Sequence, residues 1–172
     1  MTPIADFLSQ VTLFRDLDGE ALATLTPFLT QKRFASGSVV FREADESDAL
    51  YIVERGSVAV SKHVQDDVDI ILTRFHAGDF FGEMGLFDAA PRSATANVTV
   101  DALLWRLERA AFHAIFSHHP DIAAKICYRL VIVFIERLRA TNEQTREAIR
   151  WGLEATGYSL GGAQALFGRK ST

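Results

Sequence analysis

A carboxylate, a guanidinium, a hydroxyl and two glycines fall within 15 residues, where Phe81 to Thr95 reads FGEMGLFDAAPRSAT. Gly82 lets the backbone approach a ligand closely, and the short helix predicted to follow turns unpaired N–H groups outward. Such a helix start attracts anions. Arg92 lies nine residues beyond Glu83, beside Ser93. A guanidinium fork, a hydroxyl and backbone amides together make a cradle for a phosphate. Glu83, in the same loop, supplies a carboxylate for hydroxyl groups. The set suits a phosphate and a sugar diol on one small ligand, which describes a compact nucleotide. The bland alternative is an internal Glu83–Arg92 ion pair that only steadies the loop.

The elements around this run divide the chain into a helical start, a strand-rich middle and a helical end. From residue 3 to 29, Phe7, Leu8, Val11, Leu22, Leu25, Phe28 and Leu29 recur at helical spacing, with Asp18 placed to cap the second of two short helices. From Lys32 to Glu108 the period becomes two. Strands are predicted at Lys32–Ala35, Ser38–Arg42, Ala49–Glu54, Ser57–Val64, Val68–Phe75, Thr95–Val100 and Leu103–Leu107. Turn residues separate them, among them Arg55-Gly56 and Ala77-Gly78-Asp79. The Phe, Val and Ile positions of the strands, together with Leu86 and Phe87, are assigned to the core. A helix follows at Arg109–Ser117, and Pro120 opens a longer one reaching about Glu154, with Asp121 at the positive end of its dipole. Within it Val131 to Ile135 is apolar around the whole circumference, so one packed face does not account for it. The glycine-bearing tail is expected to be irregular. The resulting division is residues 1–30 helical, 31–108 strands enclosing the 81–95 loop, 109–154 helical and 155–172 tail.

Composition excludes several function classes. A formal charge of −4 and a pI near 5.7 argue against a nucleic-acid partner, whose phosphates demand a basic surface. No run of about 18 apolar residues exists to cross a bilayer, and no secretion signal opens the chain, so no membrane partner is expected and the cytoplasm is the expected compartment. The single Cys127 fits a reducing compartment, and its apolar helical setting points to a buried, inert thiol. His118-His119 before Pro120 reads as a turn, and no His-x-His with a following Glu occurs. That removes the metal set of a cupin-type metalloenzyme, and neither a metal nor a cofactor is expected.

The 81–95 run resembles the phosphate-binding cassette of the cyclic-nucleotide-binding domains, of the catabolite-activator and protein-kinase-A-regulatory type. Gly37, the Asp48–Val53 stretch and Gly56-Ser57-Val58 also match that family's strand pattern, and the likeness extends from about Leu13 to Asn142. The resemblance implies an α+β fold: an eight-stranded antiparallel, jelly-roll-like β-roll with N-terminal helices and two C-terminal ones. It implies that Glu83 accepts from a ribose 2′-hydroxyl and that Arg92 pairs with the cyclic phosphate. Ser93 and the Ser93 and Ala94 amides assist, while Gly82, Met84 and Gly85 shape the loop. Arg139 to Glu143 is similar to the helix that meets the base, which implies a base contact from Thr141, with Asn142 reaching across a dimer. The ligand so implied is cAMP, with cGMP open because Ser93 can also serve a guanine amino group.

The expected role is a cyclic-nucleotide sensor, not an enzyme, whose C-terminal helices move when ligand orders the cassette. The rival is a protein-interaction module with a silent pocket. Only 22 residues follow Arg150, too few for the DNA-reading module of the family's activators. Partners are therefore a cyclic nucleotide and either a second copy or a regulated effector. The Val131–Ile135 segment favours a homodimer. The competing cover is the chain's own tail, with Trp151, Leu153, Tyr158, Leu160, Leu166 and Phe167.

Overall fold

Two capped helices begin the chain. The computed structural model describes residues 2–65 and 68–156, which fall into two compact units, one ending at Leu130 and the other beginning at Val131. In the first unit α1 (Pro3–Leu8) carries Pro at its first position and Thr2 as its cap. α2 (Gly19–Leu25) is capped by Asp18, whose Oδ1 accepts from the Ala21 amide at 2.9 Å. Single 3-10 turns at Thr12–Phe14 and Thr26–Phe28 complete the helical start.

Six antiparallel strands follow among the described residues: β1 (Leu29–Phe34), β2 (Val39–Phe41), β3 (Ala49–Gln65), β4 (Val68–Phe75), β5 (Phe80–Phe81) and β6 (Thr95–Glu108). They pair in the order β1-β6-β3-β4, with β2 on β6 and β5 on β3. The difference from the eight expected strands has a local cause. Arg55-Gly56 is not a turn. Gly56 takes φ of +88° and the β3–β6 register shifts around it, so the chain bulges and continues as one strand. Its partner β6 likewise runs unbroken past Asp101.

Ala49, Tyr51 and Val53 of β3 join Phe81, Val98 and Leu104 in the core, while Leu50 and Ile52 point the other way and are as fully buried. β3 is thus covered on both faces, which explains its continuous apolar run. The core assignment fails at several places, and Val64 of β3 and Val100 of β6 are among the exposed residues. β4 ends the sheet, and Val68, Ile70, Ile71 and Leu72 stand exposed on it. Phe87 is also exposed, resting edge-on against Phe112, whereas Leu86 is buried.

α3 (Arg109–His118) and the long α4 (Pro120–Ala155) complete the described chain, with Pro120 as the first residue of α4. Ile122, Ala123, Ile126 and Leu130 form the buried stripe of its first turns. Cys127 is half-buried rather than enclosed, and burial pushes its thiol up, which keeps it protonated. Arg129 holds Asp16 through two hydrogen bonds, one of 2.6 Å from Nη2 to Oδ1. The bond from Arg129 holds the Asp16 carboxyl below its ordinary pKa. A depressed carboxylate stabilises the fold above its unfolded pKa, near 4, and that contribution is lost as pH falls through the folded value. Asp16→Asn is therefore expected to lower the melting temperature at pH 7 and to make progressively less difference as pH falls below the unfolded pKa towards the folded one. Melting curves of both proteins across that range check this.

The second unit, taken by itself, is the remainder of α4. Val131, Ile135, Leu138 and Ile149 are exposed apolar residues there, with Asn142 and Thr145 exposed between them. Their steps alternate between four and three residues, the spacing of a coiled-coil seam. Trp151 and Leu153 belong to the same helix, whereas Tyr158, Leu160, Leu166 and Phe167 of the proposed self-cover lie outside the described residues. Among the described residues no helix is long and apolar enough to cross a membrane.

Candidate ligand-binding site

Arg92 is the centre of the cassette. Its backbone is fixed first: its amide donates to Asp45 O at 2.8 Å, and its carbonyl accepts from Ala44 N at 2.9 Å. This ties the end of the cassette to the loop between β2 and β3. The side chain then runs inward, and only 5% of the residue is exposed. Nη1 donates to Gly82 O at 3.1 Å and Nη2 to Ala49 O at 2.8 Å, while the guanidinium carbon lies 4.1 Å from the Phe41 ring centroid. Phe41, Tyr51, Phe75 and Phe81 make the aromatic floor, with Tyr51 and Phe81 stacked at 5.5 Å. Burial lowers the Arg92 pKa from its ordinary value, but a guanidinium stays charged. Its Nε is a buried donor with no partner among the described atoms. An unspent donor on a desolvated cation is costly, and an anionic acceptor relieves that cost. The residues present therefore fit a phosphate.

The glycines serve this arginine. Gly82 has φ of +75°, and a Cβ there would stand 2.8 Å from Arg92 Nη1. At Gly85 a Cβ would stand 2.7 Å from Ser47 Oγ and 3.1 Å from Arg92 Nη1. The close approach that the sequence suggested for a ligand is spent, in this structure, on the guanidinium. The expected helix start also differs: Glu83–Leu86 is a four-residue 3-10 turn, too short for a substantial dipole. Anion attraction then rests on Arg92 and on loop amides. Those of Ser93 and Ala94 donate to no backbone carbonyl outside the strands among the described residues.

Glu83 is buried, with 7% exposure, while Met84 is exposed at the rim. Ser93 is exposed directly after Arg92, its carbonyl accepting from Lys62 Nζ at 3.4 Å, and Ala94 is buried. Gly82, Glu83, Met84, Gly85, Arg92, Ser93 and Ala94 thus all belong to the first unit. Thr141 and Asn142 belong to the second, both exposed on α4, with the Thr141 hydroxyl donating to Arg137 O at 2.9 Å.

Sequence reasoning missed three charged residues that surround the cassette. Arg109, at the start of α3, donates from Nε to Gly85 O at 2.7 Å and from Nη2 to Asp88 O at 2.8 Å, and Nη2 also reaches Ser47 O. Asp48 holds Arg106 through Oδ2 at 2.5 Å and faces Arg92 Nη2 through Oδ1 at 3.6 Å. Together with Lys32, Asp45 and Glu46, this trio's Asp48 and Arg106 line a cavity of about 360 Å³ whose wall includes Arg92. The only local signal was a pair of arginines, Arg106 and Arg109, flanking the end of an apolar strand. Among the described residues no cluster of metal-ligating side chains occurs.

Comparison with known proteins finds a matching family. The family described as "Cyclic nucleotide-binding domain" matches residues 31–119. A cAMP-dependent protein kinase regulatory subunit of Blastocladiella emersonii is 31% identical over 149 residues, which is 87% of this chain and 37% of that protein. A CRP-like cAMP-activated global transcriptional regulator of Mycobacterium tuberculosis is 29% identical over 144 residues, 84% of this chain and 62% of that protein. The crystal structure of Thermus thermophilus catabolite activator protein superposes with a TM-score of 0.71 at 26% identity, covering 80% of this chain and 62% of that one. The chain therefore spans less than two thirds of the length of these relatives, which are regulatory proteins and not enzymes.

Proposed function

The chain belongs to the cyclic-nucleotide-binding domain family, and from that premise we propose that it is a cAMP-responsive regulatory domain, with Arg92 taking the cyclic phosphate and Glu83 the ribose. The single observation that carries the reading is Arg92: a buried cation, stacked on an aromatic ring, with an unspent Nε. A silent pocket gains nothing from keeping so costly a group. cAMP is favoured over cGMP on two grounds. The relatives named above are cAMP-dependent or cAMP-activated, and the likeness of Arg139 to Glu143 to the helix that meets the base implies an adenine contact from Thr141. Parallel calorimetric titrations with cAMP and cGMP test this. Tighter cAMP binding supports the reading, tighter cGMP binding reverses the base assignment, and binding of neither leaves the protein-interaction module.

Transmission starts at Arg109. Its side chain grips the cassette carbonyls Gly85 O and Asp88 O, and its own amide donates to Asp48 O at 2.7 Å as α3 begins. A cassette that rearranges around ligand must move these carbonyls, and α3 with them. Ligand then acts by preferring one arrangement of that joint. The output is a soluble regulatory response in the cytoplasm, passed either to an effector or across a homodimer built on the α4 seam. Asn142, at an inner position of that seam, is then available to a partner copy.

Glu83→Gln is expected to weaken binding of the ribonucleotide by about 1–3 kcal/mol and of the 2′-deoxy analogue much less, because only the former donates a hydroxyl to the carboxylate. Equal losses for both ligands assign the sugar to another residue.

A further inference from the structure

Asp48 stands where it can neutralise the cation that the cyclic phosphate needs. Its Oδ1 is 3.6 Å from Arg92 Nη2, beyond a direct hydrogen bond, while its Oδ2 is 2.5 Å from Arg106 Nη2. Asp48 is half exposed and has room to move, whereas the Arg92 side chain is almost wholly enclosed. Arg106 lies on β6, where it pairs with Tyr51, the β3 residue of the aromatic floor, and Glu108 holds its other terminal nitrogen. A two-sided grip of this kind fixes the fork in place.

Resting on the cyclic-nucleotide reading, we propose that Arg106 is a positioning residue that holds the Asp48 carboxylate off Arg92 and so keeps the Arg92 charge available for the ligand phosphate. The electrostatics agree with the distances. Burial depresses both guanidiniums, but Asp48, Tyr51 and Glu108 overturn that effect at Arg106, whereas at Arg92 burial prevails. Asp48 is therefore committed mainly to Arg106. Removing Arg106 frees a carboxylate beside a buried cation, and the two close into a full ion pair. The phosphate must then displace Asp48 before it binds.

The test is a double-mutant cycle on the full chain, read by calorimetry with cAMP. Arg106→Ala is expected to weaken binding about tenfold, and Asp48→Asn in that background to restore it to within about threefold of the unaltered chain. Asp48→Asn alone is expected to tighten binding by about twofold, since the residual pull on Arg92 disappears. A merely structural Arg106 gives a loss that Asp48→Asn does not rescue, and this result overturns the proposal, as does unchanged affinity in Arg106→Ala. Should Arg106→Ala fail to fold, Arg106→Gln removes the same charge with less lost packing, and the same outcomes decide. Failure of the cyclic-nucleotide reading looks different: the unaltered chain binds neither cAMP nor cGMP, and the positioning role falls with it.

Discussion

Arg92→Ala is expected to weaken cyclic-nucleotide binding by about 2–4 kcal/mol, roughly 30- to 900-fold, because a charged donor in a desolvated site is lost. The structure adds a cost that must be separated from this one. Arg92 also donates to Gly82 O and Ala49 O and fills the space over Phe41, so truncation takes a donor from each carbonyl, leaving Gly82 O only the Gly85 amide, and opens a gap. Each unsatisfied carbonyl costs about 1–3 kcal/mol unless water reaches it. A drop in melting temperature is thus expected without ligand, together with a cassette that is less well ordered. Arg92→Lys separates the two effects. An ammonium keeps the charge and part of the packing but cannot reproduce a fork that reaches two carbonyls and a phosphate together. It is expected to recover much of the melting temperature and little of the affinity. Calorimetry that finds Arg92→Ala binding as the unaltered chain does removes the phosphate role outright.

The cassette was legible because its chemistry is local. A glycine that must take positive φ, a carboxylate one residue later and an arginine nine residues beyond that fall within one loop, and the spacing alone brings them together. Helix starts were legible for a similar reason: Asp18 and Pro120 act on backbone groups within a turn of themselves. What escaped were contacts made at a distance. Asp48 and Arg106 are 58 residues apart, and Arg109 and Ser47 are 62 apart, so no periodicity announces that they meet. Bulged Gly56 was misread because glycine marks a turn and a bulge alike, and only the pairing partner distinguishes them. The exposed aliphatics of β4 were misread because alternation and β-branching show a strand, not whether anything covers it.

The α4 seam yields the second large effect. Val131, Ile135, Leu138, Asn142, Thr145 and Ile149 take the alternating inner positions of a heptad, and Leu138 is 62% exposed. Three properties of this stripe favour a parallel pair of identical helices. Its apolar residues are too many for a helix face left in water. Asn142 occupies an inner position, where a polar side chain fixes register and restricts the assembly to two strands at some cost in stability. Arg139 and Arg146 follow Leu138 and Thr145 on one flank, so an antiparallel pair sets arginine against arginine, whereas a parallel pair sets Arg146 against Thr141. A dimer of the full chain is therefore expected by light scattering. Replacing Ile135 and Leu138 together by Asp should raise its dissociation constant at least about 1,000-fold, since each copy loses two burials of about 1.5–3 kcal/mol. Asn142→Ile should tighten association and admit species larger than the dimer. Cutting after Arg150 leaves every seam position through Ile149 in place, so the dimer should survive; a full chain that is monomeric, and that aggregates once trimmed, assigns the cover to the tail and refutes the seam.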